Sequence, residues 1–189
     1  MWLSFVQAFF AIFGVMDPVG NVPVYLTLTE KMAAETARKL SRKALIRAAV
    51  ILTVFTFLGN AVLDAFHISI ESFRIAGGLV LVLLGLQILF GMDPSDKAPA
   101  AEQDISVVPL ATPLIAGPGT ITATVILSKE YGYAVTLAAV AANLILSLLL
   151  FHYAHLILKL LGKKGTVVFA KVMGLILVAI GVEFIRTSL

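Results

Sequence analysis

Cysteine is absent from all 189 residues. Disulfides, thiolate metal sites and cysteine nucleophiles are therefore excluded. Charge is scarce too. Asp, Glu, Lys and Arg make up 13% of the chain, about half the share of an average soluble domain. So little charge cannot solvate a globular surface, which excludes a water-soluble enzyme, a secreted disulfide scaffold and a disordered tail. There is no Gly-x-Ser-x-Gly elbow, no His-Glu-x-x-His helix and no paired aspartate in an apolar stretch, so an enzyme is not expected. What remains is apolar: 60% of residues are hydrophobic and the mean hydropathy is +1.02. The natural solvent of such a chain is a lipid bilayer.

Six stretches are long and nearly free of charge: Met1–Thr29, Ala44–Leu63, Ile75–Met92, Ile105–Ser128, Tyr131–Leu158 and Val172–Ile185. A membrane span needs about 20 residues, and the two short stretches can borrow from their flanks. The first has no basic segment ahead of it and no cleavage site before Asp17, so it reads as a span and not a signal peptide. With six spans, one side collects Lys31, Arg38, Lys39, Arg42, Lys43, Arg47, Lys97, Lys159, Lys163, Lys164 and Lys171. The other side holds Arg74, Lys129 and Arg186. The richer side is expected to face the cytoplasm, leaving both termini outside. The basic cluster at 31–47 is then a topology signal and not a nucleic-acid site. The net charge of +3 has the same source.

The chain repeats itself. GLVLVLLGLQIL at 78–89 matches GLILVAIGVEFI at 174–185 with an offset of 96, pairing Gly78 with Gly174 and Gly85 with Gly181. MDPVGN at 16–21 falls on AGPGTI at 116–121, pairing Pro18 with Pro118. The second and fifth spans match poorly. Each repeat has three spans, an odd number, so the second must enter the membrane from the opposite side. The expectation is an all-α membrane protein of two inverted three-helix repeats, 1–92 and 105–189, joined by a cytoplasmic linker at 93–104. Inverted repeats are a common construction of secondary transporters. The glycines at seven-residue spacing are expected to let helices pack closely.

Both first spans carry a helix breaker at mid-depth: Asp17-Pro18-Val19-Gly20-Asn21 and Gly117-Pro118-Gly119-Thr120. A proline in a helix interior costs about 3 kcal/mol and a glycine about 1. Open backbone at membrane depth is tolerated where it lines a cavity. Spans 1 and 4 are therefore expected to be discontinuous, each restarting with Asp17 or Gly117 as N-cap and proline at N1. The restarted helices would offer the N–H groups of Val19, Gly20 and Asn21, and of Gly119, Thr120 and Ile121. Pro23 and Pro113 would free the carbonyls of Val19 and Pro109. Anion donors and cation acceptors in an otherwise uncharged site suit a small zwitterion. Its carboxylate is expected at Gly119, Thr120 and Ile121, helped by the Thr120 and Thr122 hydroxyls, and its ammonium toward Asp17, the carbonyls before it, or Asn21.

Asp17 is also a candidate for ion coupling, and Glu183 is a second, unless it simply pairs with Arg186. His152 and His155 read as interfacial residues, with a metal pair or a proton relay as the alternatives. Asn60 and Asn143 are expected to hydrogen-bond between helices or to reach the site. No metal site and no cofactor are expected, since Asp17 alone supplies too few ligands. A metal or drug exporter and a non-transporting membrane subunit are the competing readings.

DPVGNVPVYLTLT at 17–29, FRIAGGLVLVLLGLQIL at 73–89 and TPLIAGPGTITATVIL at 112–127 resemble the MarC family, which includes SnatA-type small neutral amino acid transporters. The resemblance covers nearly the whole chain. It implies a plasma-membrane protein that moves glycine, alanine and similar amino acids, coupled to protons or sodium and open to oligomerisation. It carries the site onto Asp17, Pro18, Gly20, Asn21, Gly117, Pro118, Gly119 and Thr120.

Overall fold

The computed structural model describes residues 2–29, 32–91 and 115–189. They form seven α-helices: α1 (Trp2–Met16), α2 (Asn21–Thr29), α3 (Ala34–Ala65), α4 (Ile70–Phe90), α5 (Pro118–Tyr131), α6 (Tyr133–His152) and α7 (Ala154–Arg186). Among the described residues, four segments are long and apolar enough to cross a membrane: α3, α4, α6 and the Val167–Arg186 part of α7. α1 is apolar but shorter. The molecule is thus an all-helical, multi-pass membrane protein. The expected linker at 93–104, the first part of span 4, Pro109 and Pro113 lie outside the described residues.

Two boundaries differ from expectation. α3 begins at Ala34, well before the apolar stretch at Ala44. Its first turns are built from good helix formers. Ala37, Leu40 and Ser41 are buried there, while Glu35 and Lys39 pair across one exposed turn. The helix is amphipathic here before it becomes apolar all round. The fifth span was expected to run to Leu158, but α6 stops at His152 and helix resumes at Ala154. α7 then bends at Gly162, whose φ of 65° is left-handed and suits glycine.

α4 is delimited by local chemistry. The Ser69 hydroxyl accepts from the Ser72 N–H at 3.1 Å, and the helix ends on Gly91 at φ 70°. α4 and α7 meet through glycines. A Cβ on Gly78 would lie 2.5 Å from the Gly181 carbonyl oxygen, and one on Gly181 would lie 2.6 Å from that of Gly78. Gly85 and Gly174 repeat the arrangement at 2.6 and 3.1 Å. Rising residue numbers on α4 meet falling numbers on α7, so the two helices run antiparallel. Small residues let the backbones approach this closely, and close approach rather than hydrophobic driving force binds helices in lipid. The opposite faces of these helices expose Leu79, Leu83, Leu175 and Val182.

The core is built from α1, α2, α3, α5 and α6. Ile12, Met16, Leu52 and Ile115 are fully buried there. This places the end of α1 and the start of α5 in the interior.

Candidate functional site

The helix begun at Trp2 ends at Met16, and the chain turns through Asp17–Gly20 before α2 begins. Asp17 has φ 41°, a left-handed backbone that non-glycine residues seldom adopt and that Asp tolerates better than most. The turn is closed by its own side chains. The Asp17 Oδ1 accepts from the Gly20 N–H at 3.0 Å, and the Asn21 Nδ2 donates to the Met16 carbonyl at 2.9 Å. The Asn21 N–H also reaches the Asp17 carbonyl at 3.1 Å. Asp17 is 9% exposed, so a carboxylate sits nearly dry at the break.

The sequence had Asp17 as N-cap and Pro18 as first helical residue. The capping contact is present, but regular helix starts at Asn21 because Asp17 is left-handed and not extended. Two of the three expected donors are consequently engaged, those of Gly20 and Asn21. The Val19 carbonyl, expected to be left open by Pro23, accepts from the Val22 N–H at 3.0 Å. The Asn21 amide, expected to face a ligand, holds the last turn of α1.

The second break is built differently. Gly117 is an extended N-cap that makes no side-chain capping bond, and Pro118 opens α5. The Ile121 N–H, expected to be open, bonds the Gly117 carbonyl at 3.0 Å. Gly119 and Thr120 are then the first-turn N–H groups for which the helix itself supplies no acceptor. Gly119 and Thr120 are buried while Pro118 is exposed. Thr122 packs its methyl against Gly77 of α4.

The end of α1 meets the start of α5. A Cβ on Gly119 would lie 3.1 Å from Val15 Cγ1 of α1 and 2.7 Å from Leu81 Cδ2 of α4. On the other flank, the Ser147 Oγ of α6 lies 3.6 Å from the Met16 Sδ. One element is self-capped and carries a buried carboxylate. The other presents a helix N-terminus whose N-cap, Gly117, supplies no side-chain cap.

Asn143 holds this arrangement together. It is fully buried on α6 and donates to the Phe9 carbonyl of α1 at 3.1 Å and to the Ala139 carbonyl at 2.9 Å. Its Oδ1 is buried with no partner among the described residues. Asn60 makes the equivalent tie from α3 to Ser128 of α5 at 3.3 Å. An asparagine in an apolar helix was the sequence signal for both, but it did not tell which helix each would reach.

Other candidates lie elsewhere. Glu183 accepts two bonds from Arg186, at 2.9 and 2.7 Å, on an exposed turn at the end of α7. Exposed pairs of this kind contribute little. Glu183→Gln is expected to leave the melting temperature essentially unchanged. Melting of the variant checks this. His152 is exposed and meets the edge of the Tyr153 ring, and His155 is exposed.

Comparison with known proteins adds the family context. The family model described as MarC family integral membrane protein matches residues 2–189. The chain is 36% identical over 202 residues to the UPF0056 membrane protein YvbG of Bacillus subtilis (strain 168), covering 100% of this chain and 96% of the relative. It is 35% identical over 195 residues to YhcE of Escherichia coli (strain K12), covering 96% and 89%. A UPF0056 membrane protein of Archaeoglobus fulgidus is 38% identical over 199 residues, covering 100% and 93%. No solved structure matches the chain.

Proposed function

This chain belongs to the MarC family of integral membrane proteins, and we propose that it is a secondary transporter of small neutral amino acids, of the glycine and alanine class, working by alternating access in the plasma membrane. The observation that carries the reading is the contact of Val15, two residues before the buried Asp17, with Gly119 at the buried start of α5. The Gly119 and Thr120 N–H groups and the positive end of the α5 dipole bind the substrate carboxylate. The ammonium pairs with Asp17. A charged group binds there only in exchange for water lost, so the site favours a ligand carrying both signs and little else.

The inverted repeat belongs to the same reading. The contacts Gly78–Gly181 and Gly174–Gly85 are images of each other under the offset of 96, since 78 + 96 = 174 and 85 + 96 = 181. A two-fold axis in the membrane plane generates this reciprocity. In this reading α1 and α2 are the halves of one broken span, α5 is the second half of another, and six spans leave both termini outside.

Counterflow in proteoliposomes tests the substrate. Vesicles loaded with unlabelled alanine are expected to accumulate labelled glycine or alanine. Absence of exchange across a panel of small neutral amino acids would remove the reading. Coupling is assigned to Asp17, with the proton as the ion and sodium as its competitor. Asp17→Asn retains an oxygen acceptor for the Gly20 N–H but lacks the charge. It is expected to fold and to lose gradient-driven uptake, measured as uptake under an imposed pH gradient. Unchanged pH-driven uptake by this variant would remove Asp17 from coupling.

A further inference from the structure

A cavity of 240 Å³ opens between α3, α4 and α5. It is lined by Phe55 and Val62 of α3, Phe73 of α4, and Pro118, Ile121 and Thr122 on the first turns of α5, and the partly exposed Phe55 and Val62 mark its open side. Among the described residues no charged side chain lines it, and Thr122 is the one polar lining residue. That threonine turns its methyl to Gly77. Phe55 and Val62 are 38% and 46% exposed, on a helix that also exposes Val54 and Leu58. α3 is long and apolar enough to cross the membrane, so these exposed side chains face hydrocarbon and the mouth is continuous with that surface.

Water is a poor occupant of such a space. A buried water needs two to four polar partners, and apolar cavities of about 150 Å³ stay dry and take up apolar guests. We propose that a lipid acyl chain occupies this cavity, with its end resting against Pro118 and Thr122. The lipid thereby touches the same turn of α5 that supplies the Gly119 and Thr120 N–H groups. The cavity is a seat for hydrocarbon and not a path for solute. This assignment stands on the lining and the mouth alone, whatever the transported solute.

The chain has no cysteine, so single labels can be placed without a background. A nitroxide at Ile121→Cys, in bilayers, reports collisions with oxygen, which partitions into hydrocarbon, and with a nickel chelate, which stays in water. Val54→Cys serves as the lipid reference and Lys39→Cys as the water reference. The label at 121 is expected to follow the lipid reference, with frequent oxygen and rare nickel collisions. A bimane at the same site is expected to be quenched by lipids brominated along the acyl chain. Nickel collisions at the water reference level would show an aqueous vestibule, and protection from both probes would show a closed void. Either result overturns the proposal. Should Ile121→Cys fail to fold, Phe73→Cys on the α4 wall carries the same readout.

Discussion

Gly20→Ala is expected to abolish most transport while leaving a folded, inserted protein. A Cβ on Gly20 would lie 2.0 Å from the Asp17 Oδ2 and 2.6 Å from its Cγ. The carboxylate folds directly over the glycine, so the added methyl must push it off. That forfeits the Gly20 N–H contact at 3.0 Å, a cap worth about 0.5–2 kcal/mol. It also moves the one carboxylate that we assign to the ammonium. Transport is expected to fall about tenfold or more, the factor that about 1.4 kcal/mol represents. The reason for glycine here is the carboxylate above it and not a positive φ, which Gly20 does not adopt. Counterflow and melting of Gly20→Ala, Asp17→Ala and the double variant check this. The double variant should be little worse than Asp17→Ala alone, because both lose the same contact. Additive losses would show that Gly20 acts independently.

The largest stability effect is expected at the α4–α7 contact. A Cβ on Gly85 meets the Gly174 carbonyl oxygen at 2.6 Å and the Val178 N at 2.9 Å. These are backbone atoms and cannot rotate away, so the helices must separate. Overpacking of this kind costs about 1–3 kcal/mol, and the lost close approach extends to the reciprocal pair at Gly78. Gly85→Ala is expected to lower the melting temperature markedly, and Gly85→Val to prevent stable folding. Leu79→Ala, on the exposed side of α4, is the control and should shift stability by no more than about 0.5 kcal/mol. Equal melting of Gly85→Ala and the control would contradict the packing described.

Much of this was legible in the sequence because breakers and apolar runs act locally. The interruption after Met16 follows from Asp17 and Pro18, and the start of α5 follows from Gly117 and Pro118. Glycine spacing foretold a close helix contact, though not that Gly78 would meet Gly181. Contact partners depend on how helices dock, and apolar sequences carry no such address. The early start of α3 was missed because a charged, amphipathic turn looks like a loop when only apolar length is counted. The closure of the first break was missed for another reason. Local side-chain bonds compete with the backbone's own pattern, and Asp17 and Asn21 have several partners within reach. The sequence lists those partners but does not rank them. Asn143 likewise announced itself as a polar residue in an apolar helix, while its tie to Phe9 is visible only in the fold.

The central claim is that substrate carboxylate binds at the first turn of α5. Solid-state NMR dipolar recoupling between alanine labelled at its carboxylate carbon and protein labelled at the Gly119 and Thr120 amide nitrogens measures this contact directly. The account predicts a carbon–nitrogen separation below about 4 Å, that of a hydrogen-bonded pair, and its loss when unlabelled glycine displaces the alanine. Bound alanine with no dipolar coupling to either nitrogen, or with coupling only to Val19 and Gly20, would contradict it.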